Sequence, residues 1–104
     1  MEIPCNTSAT NNDYMILVLW FRNANATGAS IYSVDSRENA RNDHFTSTDA
    51  NLTGRIRFEN SNPFSSLRIS HLKQSDAGTY SCRVDFKISP TRLTISRLRV
   101  IGKN

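Results

Sequence analysis

Cysteine, histidine and carboxylate are the side chains best suited to catalysis or metal binding, and this chain uses them sparingly. Of 104 residues, two are Cys, two are His and nine are Asp or Glu. Cys5 and Cys82 are separated by most of the chain, whereas a zinc site draws four ligands from short clusters. His44 and His71 are far apart and read as surface or rim residues. The carboxylates are scattered. There is no glycine-rich phosphate loop, no H-E-x-x-H and no G-x-S-x-G. No catalytic set, cofactor site or metal site is therefore expected, and the chain reads as a non-enzyme with no small-molecule substrate.

Two other patterns carry chemical information. Asn6-Thr7-Ser8, Asn25-Ala26-Thr27 and Asn51-Leu52-Thr53 match the acceptor for N-glycosylation, which makes Asn6, Asn25 and Asn51 candidate glycan sites of a secreted chain. Asn62 precedes Pro63 and is excluded. The formal charge is +4, drawn from ten Arg and three Lys. These cations are dispersed and form no stripe, which argues against nucleic acid as a partner. A surface rich in Arg and poor in Lys suits a protein interface instead.

The elements that would position these groups centre on residues 72–86. Asp76 and Gly78 supply turn chemistry. Tyr80, Cys82, Val84 and Phe86 then alternate with Thr79, Ser81, Arg83 and Asp85, so a strand would put the two sets on opposite faces. The spacing Asp76-x-Gly78-x-Tyr80-x-Cys82 resembles the start of strand F in an immunoglobulin sandwich. There a Tyr two residues before the second Cys bonds back to the corner. That resemblance asks for a first Cys far upstream and a Trp between, and Cys5 and Trp20 fill both places.

The resemblance implies an all-β, variable-type immunoglobulin sandwich: two antiparallel sheets joined by a Cys5–Cys82 disulfide, with Trp20 packed on it. Two free buried thiols are the alternative. A disulfide closing so long a loop would stabilise the fold by about 4–5 kcal/mol on the chain-entropy account, and it implies an oxidising, extracellular setting. Arg55 falls where variable-type domains place an Arg that pairs with the Asp of the corner, here Asp76.

The length suits one domain, assigned to 1–101, with 102–104 as the start of a linker. Residues 1–5 read as strand B with Met1, Ile3 and Cys5 inward, so strand A is missing or trimmed. Residues 14–22 read as strand C, 29–35 as C′, 36–43 as a C″ edge or solvated loop, and 52–59 as D. Residues 64–71 read as E and 92–101 as G, with Phe45 as an anchor in between. In strand C, Ile16, Val18 and Trp20 share the inward parity. Leu17, Leu19 and Phe21 then face outward with Arg83, Asp85, Leu93, Ile95, Arg97 and Arg99. One of Ile31 and Tyr32 is expected to join them. Adjacent apolar side chains flanked by Arg form a patch that monomers seldom leave in water and that has the composition of a binding surface. Ile88, in the F–G hairpin, and Leu93 are candidates for its specificity.

Three segments narrow the likeness further. They are Leu17-Val18-Leu19-Trp20-Phe21-Arg22 with Ser30-Ile31-Tyr32-Ser33-Val34-Asp35-Ser36-Arg37; Gly54-Arg55-Ile56-Arg57-Phe58; and Cys82-Arg83-Val84-Asp85-Phe86-Lys87-Ile88-Ser89-Pro90-Thr91-Arg92. Together they resemble the first, membrane-distal immunoglobulin domain of the insect Sidestep family, although Phe21 stands where that family often has Tyr. The resemblance implies a cell-surface ectodomain of a single-pass membrane protein. Its partner would be the first immunoglobulin domain of a Beaten path family receptor, bound through the C-C′-F-G face in axon guidance and synaptic partner matching. Homophilic adhesion through the same face and glycosaminoglycan binding are the alternatives.

Overall fold

The computed structural model describes residues 1–36, 43–46, 52–59 and 64–101. The linker assigned to 102–104, the sequon at Asn51 and most of the segment read as C″ lie outside the described residues. The strands are β1 (Glu2–Asn6), β2 (Met15–Phe21), β3 (Tyr32–Asp35), β4 (Asp43–Thr46), β5 (Ile56–Glu59), β6 (Phe64–Ile69), β7 (Gly78–Phe86) and β8 (Arg92–Leu98). They form a three-stranded sheet, β1-β6-β5, and a five-stranded sheet, β4-β3-β2-β7-β8. The strands pair antiparallel throughout both sheets among the described residues. The first strand opens at Glu2 and carries Cys5.

Alternation decides which side chains meet between the sheets. Trp20 stands across from Cys82, and Val18 across from Val84. Tyr80, Cys82 and Val84 are fully buried. Ile3, Cys5, Phe58, Leu67 and Ile69 close the same core from the facing sheet. The Cys5–Cys82 disulfide spans it with the Cα atoms 6.1 Å apart. The Trp20 and Phe58 rings meet at 6.2 Å, tilted by 57°, a favourable edge-on geometry.

The corner before β7 is held by side chains from both sheets. A short 3-10 turn, Gln74–Asp76, leads into it. The Tyr80 hydroxyl donates to the Asp76 carbonyl at 2.6 Å. The Asp76 carboxylate receives Arg55 through both oxygens, at 2.8 and 2.9 Å, and also the Lys73 N–H at 2.8 Å. Arg22 donates to the carbonyls of Ser75 and Ala77 while its guanidinium lies 5.0 Å above the Tyr80 ring. Gly78 opens β7 at φ +141, a backbone setting that favours glycine.

Several sequence-based expectations are corrected. Met1 is 55% exposed and does not join the core; its amino group instead donates to the Ile69 carbonyl. The register of β2 against β7 shifts between Met15 and Leu17. A β-bulge adds one residue and reverses the alternation before it, so Met15 rather than Ile16 packs against the core. The edge strand beside β3 is Asp43–Thr46, later than the 36–43 expected. Strand β5 starts only at Ile56, because residues 52–55 form a turn closed by the Arg55 N–H on the Leu52 carbonyl.

Candidate functional site

The outward face of the five-stranded sheet is built in cross-strand rows. In one row Ser33, Leu19, Arg83 and Leu93 are direct neighbours on β3, β2, β7 and β8. The next row holds Asp35, Leu17 and Asp85. A third holds Phe21, Ser81 and Ile95, and beyond it Thr79 faces Arg97. Directly opposed residues share a face, so the sheet gathers most of the side chains that parity placed outward.

Exposure sorts this set. Leu93 and Ile95 are 45% and 54% exposed, and Ile88, at the hairpin tip between β7 and β8, is 69% exposed. Leu17 and Leu19 are half-buried, and Arg83, Arg97 and Arg99 are exposed. Arg83 Nε donates to Asp85 Oδ1 at 3.2 Å, and Thr91 Oγ1 donates to the same oxygen at 2.8 Å. The result is two short apolar pairs, Leu17 with Leu19 on β2 and Leu93 with Ile95 on β8, with Arg83 and Asp85 of β7 between them and Asp35 and Arg97 at the margins.

Three residues expected on this surface are not available to a partner. Ile31 and Tyr32 are 6% and 3% exposed, and both belong to the connected core. Tyr32 pairs with Trp20 and Val34 with Val18, so the outward places on β3 go to Ser33 and Asp35. The alternation of Tyr32 and Val34 in the sequence carried that signal. Phe21 does take the outward parity and stands apart from the connected core, yet only 4% of it is exposed. Its neighbour Ser81 is small and fully buried, with a hydroxyl that finds no partner.

The loops at the end near the hairpin tip are tied together by contacts that no sequence pattern announced. Arg92 donates to the carbonyls of Asn6 and Ser8 at 3.0 and 2.8 Å, and its guanidinium lies 4.7 Å over the Phe86 ring. The Asp13 carboxylate accepts the N–H groups of Tyr14, Ile88 and Ser89. The Ser89 hydroxyl first, then the backbone N–H groups of Ser89, Ile88 and Tyr14, hold Asp13 down at about 2, against the opposing pull of desolvation.

Of the two described sequons, Asn6 closes β1 and Asn25 lies in the loop between β2 and β3. Both are exposed. Asn6 Oδ1 accepts from the Ser8 N–H and hydroxyl. The Asn25 loop is shaped by Asn23, whose Oδ1 accepts the N–H groups of Asn25 and Thr27.

Two antiparallel sheets, one buried disulfide beside a Trp, and a Tyr hydroxyl closing the corner define an immunoglobulin-type recognition domain. The chain belongs to the immunoglobulin V-set domain family, which matches residues 1–101. A solved structure of murine CRIg is similar, with a TM-score of 0.78 and 23% identity over 98% of this chain and 85% of that one. At that identity the likeness concerns the fold. No curated protein matches the chain. Domains of the V-set family are typically extracellular and non-enzymatic. Among the described residues no helix is long and apolar enough to cross a membrane, and no group of three or more His, Cys, Asp or Glu could hold a metal ion.

Proposed function

We propose that this domain is a cell-surface recognition module that docks on an immunoglobulin domain of a Beaten path family receptor, through the outer face of its five-stranded sheet. Its parent would be a Sidestep-family, single-pass membrane protein acting in axon guidance and synaptic partner matching. The receptor's identity rests on the likeness of the segments around Trp20, Arg55 and Cys82 to the Sidestep family.

One contrast supports the choice of face. The five-stranded sheet presents Leu17 and Leu19 on β2 and Leu93 and Ile95 on β8, on either side of Arg83 and Asp85 of β7. The three-stranded sheet presents charge instead: Arg68 bridges Glu2 and Glu59, at 3.0 and 2.9 Å. Exposed pairs of that kind are stable in water and gain little from being covered, whereas the exposed Leu93 and Ile95 side chains gain from losing water.

A binding screen of the glycosylated domain against a panel of Beaten path family ectodomains tests the reading. Saturable binding to at least one of them is expected. Binding to none, with self-association in analytical ultracentrifugation, would point to homophilic adhesion. Retention on heparin at physiological salt would point to glycosaminoglycan.

A further inference from the structure

Ile88 is the most exposed large apolar side chain on any described loop between strands, yet the backbone beneath it is firmly held. Asp13, from the loop between β1 and β2, reaches across to the hairpin. Its Oδ1 accepts the Ile88 N–H and its Oδ2 the Ser89 N–H, each at 2.9 Å. Two successive N–H groups converging on one anion form a nest, filled here by the chain's own carboxylate. The neighbouring Lys87 N–H donates to the Tyr14 carbonyl at 3.0 Å, and Lys87 Nζ lies 5.5 Å from the Tyr14 ring. On the far leg, Thr91 is fixed on Asp85 and Arg92 on Asn6 and Ser8.

A free hairpin tip would have to be ordered when a partner arrives, and that cost would be taken from affinity. Here it has already been met by contacts within the domain. Through Thr91 and Asp85 the tip also runs on into the row that carries Leu17, next to Leu19 and Leu93. We infer that Asp13 is a positioning residue of the docking surface: it fixes the β7–β8 hairpin so that Ile88 stands out, ordered before contact, as an apolar anchor for a recess on a protein partner. This role rests on the receptor-binding reading above.

The test uses wild type, Asp13→Ala, Asp13→Asn, Ile88→Ala and the double variant Asp13→Ala/Ile88→Ala. The probe is whichever Beaten path family ectodomain the wild-type domain binds. Ile88→Ala should weaken binding about tenfold with an unchanged melting temperature. Asp13→Ala should speed amide exchange at Ile88 and Ser89 and weaken binding several-fold, roughly fivefold. Asp13→Asn keeps one acceptor oxygen and should fall between. In the Ile88→Ala background the Asp13 substitution should cost no further affinity, an outcome that a merely structural role would not produce. Unchanged exchange in Asp13→Ala, unchanged binding in either single variant, or an equal Asp13 effect in both backgrounds overturns the inference. If wild type binds no ectodomain of the panel, the receptor reading itself falls and the anchor role falls with it. The exchange measurement still reports whether Asp13 holds the hairpin.

Discussion

Arg83 and Asp85 pair along one strand rather than across the sheet: Arg83 Nε is 3.2 Å from Asp85 Oδ1, two residues on. The alternation of a strand puts both on the outward face of β7, beside Leu19 and Leu93. With 44% and 20% of the two side chains exposed, the pair contributes little to folding. Its charges and their placement are what a partner would meet. Arg83→Glu sets two carboxylates side by side, and Asp85→Arg two guanidinium groups. Each change should weaken receptor binding at least about tenfold, and Arg83→Glu should leave the melting temperature nearly unchanged, because like charges across an interface are costly while exposed ones within a domain are not. Surface plasmon resonance together with thermal melting checks this, and normal binding by both variants would remove the face from the proposal.

The same face predicts a division between stability and docking. Leu93 and Ile95 are about half exposed, whereas Phe21 is buried on the same side of the sheet. Leu93→Ser and Ile95→Ser should lower affinity with little effect on folding. Phe21→Ala should instead destabilise the domain by about 3 kcal/mol, lowering the melting temperature by roughly 12–24 °C. If Leu93→Ser and Phe21→Ala behaved alike, the split between exposed pair and buried ring would be wrong.

Those residues also show how far the sequence could be read. The demands of the cystine, Trp20 and Tyr80 are rigid, so the phase of β7 and most of β2 followed from period-two alternation. Phase does not fix exposure: Phe21 takes the outward parity, yet only 4% of it is exposed. Where two apolar residues adjoin, alternation gives no answer. Met15 and Ile16 hide a bulge in this way, and Ile31 and Tyr32 both enter the core. Strand β4 is placed by its backbone ladder with β3 and had no apolar alternation to reveal it. The Asp13 contacts join a carboxylate to backbone N–H groups 75 and 76 residues away. Such a contact leaves no mark in side-chain pattern.

The corner should make stability depend on acid. The Arg55 guanidinium, followed by the Lys73 N–H, holds the Asp76 carboxyl below its ordinary value, against desolvation. A carboxyl depressed by folding stabilises above its unfolded pKa, about 4, and that contribution is lost as pH falls through the folded value. Asp13 acts in the same direction, with a folded pKa of about 2. The melting temperature should therefore be level above about pH 5 and fall steadily below about pH 4. Asp76→Asn leaves Arg55, with only 13% of its side chain exposed, without its counter-charge. It should cost roughly 3–5 kcal/mol at neutral pH and flatten the acid limb of the profile. An acid limb as steep as that of wild type would show that another carboxylate governs it.

The disulfide offers the sharpest stability prediction, because it acts on the unfolded chain. Cys5 and Cys82 are 77 residues apart in sequence, and a loop of that length gives about 4–5 kcal/mol on the chain-entropy account. A domain of this size has about 5–15 kcal/mol in all, so reduction removes a large share. The Cys5→Ala/Cys82→Ala variant should melt roughly 20–30 °C lower if it folds at all. Both sulfurs are fully buried beside Trp20, so a mild reductant should act on the native domain only as fast as it opens. Thiol labelling under native conditions, followed over time, measures that opening directly. Labelling as fast as in denaturant would mean that the sheets part far more readily than this core allows.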